Sequence, residues 1–549
     1  YGYRYIHPAE HEHLRTRENE VLFKPLLIDA VVRINGIPRP TAQAVFNDLA
    51  GIADNQKWVE VLRGNYSRKI PGEDTHRTIR LIDFDHIENN DFACTNQLRV
   101  QGEVPRIPDV VIYVNGIPLV VIEAKSPINP SQNAFDAIDQ VHSAEKEIPR
   151  LFHSNLFNIA TNDITFMYGA TEAPSELWSR WRDPWPRKPE ELADETEKGL
   201  YALLEPSRLL DILAHFIVFE TRDGVTVKKV CRYQQFRAVN KMVQRVQHGE
   251  HRAGLIWHTQ GSGKSLTMVF AALKLKFHRG ITSERLQNPN LLVLTDRIDL
   301  HKQIAKTFEA CGLPNPIPAE SIGKLRKIVV PGIMGRTVIS TIFKFHWDDP
   351  RLKSRVHEQR QAALRDLAVE GSENWILMVD EAHRTQEKEL GAYVRAILPD
   401  AVRFGFTGTP VKKGDKDTFK NFGARGGAPG EAYLDKYGID DAVADGATVP
   451  IYYQGRMTEW YLHDKEIDVL FDQWFLGEPE EKIEELRRRG VTKGDLARFQ
   501  PRIDLIAVDI WAHYRAHVMP DGFKAQICAI DRRACVAYKV ALDRVIAES

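Results

Sequence analysis

Two hydrophobic periods alternate along the chain. In 18–33, ENEVLFKPLLIDAVVR, apolar residues recur at helical spacing, and from there to about residue 75 the sequence reads as polar-rich helix and loop. The period then shortens. TIRLIDF, NQLRVQG, DVVIYV and LVVIEAK are β-rich runs set off by turn residues, and 132–148 returns to helical spacing, which together predict a compact α/β domain over 1–170. PSELWSRWRDPWPRKPEELADETEKG mixes Pro, charge and Trp and predicts a linker over 171–204, with Trp178, Trp181 and Trp185 placed to pin it to a neighbour. The pattern over 205–248 is helical. Beyond it GLIWHT, LLVLTD, TVIST, WILMVDE and VRFGFTG alternate with helical stretches, so a parallel sheet wrapped by helices is expected over 205–455. In 456–549, GEPEEKIEELRRRG (477–490) predicts a charged, solvated helix, and KAQICAIDRRACVAYKVAL, from Lys524, a last βα unit.

Composition narrows the function classes. At roughly 100–200 residues per domain, 549 residues make about three to five domains, and 43% hydrophobic residues argue against bulk disorder. Lys+Arg number 74 against 75 Asp+Glu, so a chain that coats nucleic acid through a basic excess is excluded, and any DNA contact must use local basic surfaces. Cys94, Cys231, Cys311, Cys528 and Cys535 form no CxxC pair, which argues against a zinc site or a disulfide framework and fits a reducing cytosol. No run approaches the ~18 apolar residues of a membrane span, and YGYRYIHPAEHEH lacks a signal-peptide pattern. The first residue is Tyr, so a preceding segment is expected to be missing.

The first chemistry lies in IPDVVIYVNGIPLVVIEAKSP, 107–127. Asn115-Gly116 between apolar runs predicts a hairpin, since both residues tolerate positive φ. A two-residue turn pairing Val114 with Ile117 would put Asp109 and Glu123 on opposite faces. A three-residue loop, Asn115 to Ile117, or a bulge with the same result, sets Asp109 opposite Glu123 with Lys125 on the same face, and that arrangement is the expectation. Adjacent carboxylates repel unless one is protonated or a cation sits between them. Mg²⁺ suits such a pair, and a neighbouring lysine can orient water and neutralise charge. Pro108-Asp109 followed by Glu123-Ala-Lys125 resembles the PD-(D/E)xK nucleases, which implies Mg²⁺-dependent phosphodiester hydrolysis with Asp109 and Glu123 as metal ligands. Gln140 resembles the Gln of the QxxxY element of RecB-like and type I restriction nucleases, with Ala144 in place of the Tyr.

The second chemistry is a nucleotide motor. GLIW, HTQGSGKS and LTMVFAALKLKF read as strand, Gly-rich loop and helix. Backbone N–H groups around Gly261 and Gly263 would cradle phosphate, Lys264 would reach the β/γ-phosphates and Ser265 would ligate Mg²⁺. His258 replaces the first Gly of the strict pattern. WILMVDEAHR ends a buried strand in Asp380 and Glu381, placed to hold Mg²⁺ and to orient water, and VRFGFTGTP ends another with Thr407 and Thr409. These segments resemble motifs I, II and III of superfamily 2 helicases, with Asp380-Glu381-Ala382-His383 as the DEAH box. The resemblance adds Thr259, Ser262 and His383 to the nucleotide-binding positions. It also makes Gln235, or alternatively Gln234, the glutamine that reads adenine. LLVLTDRIDL and TVISTIFKF resemble the DNA-contacting motifs Ia and Ib, and KAQICAIDRRACVAYK the start of a second RecA-like domain.

Nuclease first, then DEAH motor, resembles the restriction (R) subunit of type I restriction-modification enzymes. The likeness extends through RLIDFDHIENNDF, IPRLF, FIVFE and DAVADGATVPI. It implies a PD-(D/E)xK nuclease, a RecA-like motor domain and the beginning of a second one, using ATP and Mg²⁺ on double-stranded DNA in complex with methyltransferase and specificity subunits. On this reading the second half of the ATP site is absent, and residues 1–549 alone hydrolyse little ATP. The alternatives are a DNA-repair nuclease-helicase, a type III restriction subunit, or an inert scaffold that binds DNA and subunits.

Overall fold

At the hairpin tip, Asn115 and Gly116 adopt φ of 53° and 74°. This is the two-residue turn whose twist matches the strands it joins, and it corrects the expected three-residue loop, since Val114 pairs with Ile117. A bulge follows between the pairs Tyr113–Pro118 and Ile112–Val120, and Val110 then faces Ile122. The extra residue restores the alternation that the tight turn alone would have reversed. The turn is buried. Asn115 Nδ2 donates to Leu81 O (2.8 Å) and Asn90 Oδ1 (2.9 Å), and a Cβ on Gly116 would lie 2.6 Å from Phe23 O, so only glycine fits.

The computed structural model describes residues 1–450 except 129–132, 250, 278–286, 296–297, several positions within 314–333, 342–371, 384–397 and most of 411–432; it also describes 452, 453, 455 and 497–549. The chain divides into Tyr1–Val449 and Pro450–Ser549; the region expected over 1–170 lies in the first unit, the one expected over 205–455 lies in it as far as Val449, and 456–549 lies in the second. The charged helix expected at 477–490 lies outside the described residues.

The first sheet takes β1 (Arg4–Ile6), β4 (Phe92–Asn96), β5 (Val110–Val114), β6 (Ile117–Ala124), β7 (Phe157–Thr161) and β8 (Phe166–Ala170) in chain order, while β2 (Ser67–Lys69) and β3 (His76–Thr78) form a separate ribbon. Neither TIRLIDF nor NQLRVQG forms a continuous strand. Ile79, Leu81 and Ile82 are buried without a ladder, and Val100 makes only an isolated bridge to Arg106. Apolar side chains there fill space beside the sheet, which a β-rich composition alone does not distinguish from pairing. The hairpin divides its side chains between two cores. Ile112, Val114, Val120 and Ile122 pack with the helices Lys24–Asn35, Arg39–Ala50 and Asn55–Leu62, whereas Val111, Tyr113 and Val121 pack with the helix Ala134–Glu147. By the same parity Asp109, Glu123 and Lys125 face the helix Ala134–Glu147.

The segment 171–204 is packed rather than a loose spacer. Trp178 and Trp181 are buried and Trp185 is half-buried, with Trp178 lying so close over Gly169 of β8 that a Cβ there would come within 2.4 Å of its ring. The helical reading of 205–248 needs correction. Helices span Pro206–His215 and Tyr233–His248, but between them β9 (Ile217–Arg222) and β10 (Val225–Val230) form a hairpin. Its signal was present as alternation around Asp223-Gly224, which take φ of 50° and 80°.

The second sheet is wholly parallel, in the order β13-β14-β12-β15-β16-β11-β17, from β11 (Ala253–His258), β12 (Asn290–Thr295), β13 (Ile317–Pro318), β14 (Thr337–Thr341), β15 (Trp375–Val379), β16 (Val402–Thr407) and β17 (Asp435–Tyr437). β12 and β15 are buried along their whole length, as expected of strands covered on both faces.

In Pro450–Ser549, helices Gln500–His517 and Arg532–Glu548 pack through Ile503, Ala507 and Ala541. The strand expected from Lys524 does not form. Residues 524–530 are largely exposed, and among the described residues no strand pairs with them. A parallel strand needs a neighbour for its ladder and cover for both faces.

Candidate functional sites

The ladder that pairs Val110 with Ile122 carries on to set Asp109 beside Glu123, and Ala124 N–H donates to Asp109 Oδ2 at 2.8 Å. Glu123 is 2% exposed, and its Oε2 is buried with no hydrogen-bond partner among the described residues. Burial, then the charge and hydrogen bond of Asp109, push the Glu123 carboxyl up to about 8, with Lys125 and Arg106 acting in the opposite direction. Without a cation the pair therefore holds a proton. Lys125 Nζ donates to Gln140 Oε1 on the helix Ala134–Glu147, and Lys125 N–H anchors to Thr161 O of β7 at 2.8 Å. Asp109, Glu123, Lys125 and Gln140 are thus brought together. Ala144 is buried in the core beneath, so that position faces packing and not the site.

An orphaned buried carboxylate oxygen beside a second carboxylate fits a hard divalent cation. Among the described residues no group of three or more His, Cys, Asp or Glu side chains could hold a metal ion. Two carboxylates nevertheless suit Mg²⁺, which keeps the rest of its shell for water and phosphate. Arg106 was not foreseen at this site. It is ion-paired with Glu147, and its charge acts on Glu123.

In the parallel sheet the loop after β11 lies at the carboxyl ends of the strands, where ligands of open α/β sheets bind. Gly261 and Gly263 both take φ of 84°, and the helix Lys264–Phe277 begins immediately after. Thr259 N–H is fixed by Tyr437 O of β17 (2.9 Å), while Ser262 Oγ is buried without a partner among the described residues. Lys264 Nζ reaches back to the carbonyls of His258 (3.4 Å) and Thr259 (3.3 Å). Burial lowers its pKa, against the raising effect of Glu381 and Asp380. Ser265 is half-buried in the first helical turn. A cradle of N–H groups with a half-buried, weakly bonded ammonium fits a polyphosphate.

Asp380 is buried just past β15, and Glu381, at φ 47°, takes a left-handed conformation. His383 Nδ1 lies 2.8 Å from Thr407 Oγ1 and 3.3 Å from Glu381 Oε2. Thr407 is fully buried, and its hydroxyl also accepts Thr409 N–H at 3.1 Å. It thereby holds the His383 ring and the exposed Thr409 turn together. That turn lies against the Gly-rich loop, where a Cβ on Gly408 would come 3.2 Å from Gln260 N, and Trp257 Nε1 of β11 donates to Gly408 O at 3.2 Å.

Both candidate glutamines reach the loop from the helix Tyr233–His248. Gln235 Oε1 accepts Arg232 N–H (2.8 Å) and its Nε2 donates to Gly263 O (3.2 Å). Gln234 Nε2 points to Ser262 O (3.5 Å), and its Oε1 is buried and unpartnered among the described residues. Gln235 lines a cavity of about 240 Å³ bounded by Gly261–Gly263, Leu266, Arg232, β10 from Lys228 to Val230, and the chain from Tyr168 to Ala173. The contribution of β8 and β10 to this cavity was invisible in the sequence. It arises because the β9–β10 hairpin docks beside β8 of the first sheet, where buried Lys228 donates to Asn55 Oδ1 (2.8 Å), Asn155 O (2.6 Å) and Thr171 Oγ1 (3.1 Å).

Two stretches of the chain match known family models. Residues 1–177 match the family model for the type I restriction enzyme R protein N terminus, and residues 234–485 match that for the SWI2/SNF2 ATPase. The type I restriction enzyme HindI endonuclease subunit of Haemophilus influenzae is 31% identical over 554 residues, covering 94% of this chain and 49% of that protein. Among solved structures, "The fragment structure of a putative HsdR subunit of a type I restriction enzyme from Vibrio vulnificus YJ016" aligns over 83% of this chain and 70% of that one, with 16% identity and a TM-score of 0.33. The chain spans about half the length of the curated relatives it matches. No helix among the described residues is long and apolar enough to cross a membrane. With an R-protein N-terminal region joined to an SWI2/SNF2 ATPase region, and identity to an endonuclease subunit along nearly all of its length, the chain belongs to the family of type I restriction enzyme R (HsdR) subunits.

Proposed function

We propose that this chain cleaves DNA with Mg²⁺ at Asp109, Glu123 and Lys125 and drives translocation along double-stranded DNA with ATP bound at the 258–265 loop. It would act as the restriction subunit of a complex with methyltransferase and specificity subunits. The observation that carries the proposal is the convergence of Asp109, Glu123, Lys125 and Gln140 at one sheet edge, in the same chain as a phosphate cradle faced by Asp380 and Glu381.

Asp109 and Glu123 would hold the cation, which supplies Lewis-acid polarisation of the scissile phosphate and a more acidic water. Lys125, aimed by Gln140 and by its own backbone bond to β7, positions the attacking water and offsets negative charge that grows on the phosphate. In the motor, Gly261 and Gly263 let the backbone wrap the phosphates, Lys264 neutralises them, and Ser265 and Asp380 would hold the Mg²⁺ that accompanies the nucleotide. Glu381 orients water. His383, bonded to Thr407, links that acid to the 407–409 turn, a route by which hydrolysis can be felt at neighbouring strand ends.

The test uses the intact subunit assembled with its partners. Asp109→Ala should abolish cleavage and leave DNA-stimulated ATP turnover. Copurification with a methyltransferase supports the type I assignment, whereas full cleavage by a free chain without one favours a repair nuclease-helicase. Unchanged cleavage in Asp109→Ala would sink the nuclease assignment, and unchanged ATP turnover in Lys264→Ala the motor.

A further inference from the structure

His258 stands at the head of the phosphate loop, where the strict Gly-rich pattern has glycine, and it is completely buried. Its Nε2 lies 2.7 Å from Asp435 Oδ2, on the neighbouring parallel strand β17. The same carboxylate receives Arg237 Nε at 2.6 Å and Nη2 at 3.1 Å, and Lys241 Nζ at 3.0 Å, both from the helix Tyr233–His248. Arg237 also pairs with Asp183 from the packed 171–204 segment, so two carboxylates face two cations and charge balances. Asp435 is 1% exposed. Burial alone would raise its pKa, but His258 and Arg237 hold it well below the usual carboxylate range.

We infer that Asp435 is a positioning residue for the nucleotide-binding loop, clamping the loop's first residue, the glutamine helix and the edge strand β17 into one register. The inference rests on the nucleotide-binding reading of that loop and extends it to residues outside the loop. Three sets of bonds shape the cradle: Thr259 N–H to Tyr437 O, Gln234 to Ser262 O, and Gln235 to Gly263 O. The first depends on where β17 sits against β11 and the others on where the helix sits. Asp435 bonds β11 through His258, bonds the helix through Arg237 and Lys241, and is itself part of β17. A buried ion cluster contributes less to stability than apolar packing of the same volume, and its best-attested use is to fix register. Here the register fixed is that of the phosphate cradle.

The experiment measures binding of a non-hydrolysable ATP analogue and steady-state ATP turnover in the intact subunit. Asp435→Asn keeps the shape and one acceptor but removes the charge. Because the clamp touches the loop and not the reacting phosphate, analogue Kd and ATP KM should rise roughly tenfold, the size of one charge-assisted hydrogen bond, with kcat within about threefold. A folded Asp435→Asn protein with unchanged Kd overturns the inference, even if its melting temperature falls. Should that variant not fold, two His258 variants decide. His258→Gln keeps an N–H for Asp435 and should bind the analogue nearly as the wild type does, whereas His258→Leu should bind roughly tenfold more weakly. Equal affinity of these two overturns the inference. If the wild type binds no ATP, the nucleotide reading falls and takes the inference with it; wild-type binding with unaltered variants overturns the inference alone.

Discussion

Replacing Glu123 by Gln should change how the metal-free protein responds to pH. The wild-type carboxyl is 2% exposed and is pushed from an ordinary value of 4.5 up to about 8 by burial and then by Asp109. Below about pH 4.5 it is protonated in both the folded and unfolded chain, and above about pH 8 it is ionised in both. Between those limits only the unfolded chain releases the proton, so rising pH favours unfolding by about 1.4 kcal/mol per unit. From about pH 5.5 to about pH 7.5 the site should therefore cost the first unit about 2–3 kcal/mol, a loss that Glu123→Gln does not suffer. Asp109→Asn should give an intermediate slope, because it removes the neighbouring charge and leaves burial in place. Urea unfolding in a chelator, followed by the fluorescence of buried Trp58, Trp178 and Trp181, measures all three proteins. Adding millimolar Mg²⁺ should flatten the wild-type slope by stabilising the ionised pair. Identical slopes in wild type and Glu123→Gln would refute the reasoning, as would a wild-type slope indifferent to Mg²⁺.

Three other outcomes follow from the same geometry. Lys264→Ala should lower ATP turnover by at least about 100-fold and abolish long-range cleavage with it; cleavage that persists far from the site would break the link between motor and nuclease. Lys125→Ala should reduce cleavage by about 100-fold or more while leaving Mg²⁺ affinity, measured by calorimetry, close to wild type, since Lys125 is not a ligand; a large loss of Mg²⁺ affinity would contradict its assigned role. Gly116→Ala should destabilise the first unit by about 2–4 kcal/mol, from a strained positive φ and a Cβ driven against Phe23 O, and a change under about 0.5 kcal/mol in urea unfolding would show that the turn relaxes.

Local chemistry made both candidate sites legible in the sequence. Asn115-Gly116 announces a tight turn, a Gly-rich run before Lys264 announces a phosphate cradle, and apolar runs ending in Asp380 and Thr407 announce buried parallel strands, because each depends on backbone conformation or burial within a few residues. Long-range packing decided the rest. The bulge that brings Asp109 beside Glu123 is set by how the buried turn seats under Phe23 and against Asn90. TIRLIDF and NQLRVQG have strand composition but pair only at isolated positions, and among the described residues the region from Lys524 pairs with no strand. The wall that β8 and β10 lend to the cavity beside Gln235 goes with Lys228 reaching Asn55, Asn155 and Thr171, contacts between residues far apart in the chain. Asp435, some 180 positions from His258, shows the same limit. Sequence by itself determined which residues can do chemistry and the local turns that present them; only tertiary structure decided which of them meet, because register and charge pairing are settled by the packing of distant strands and helices.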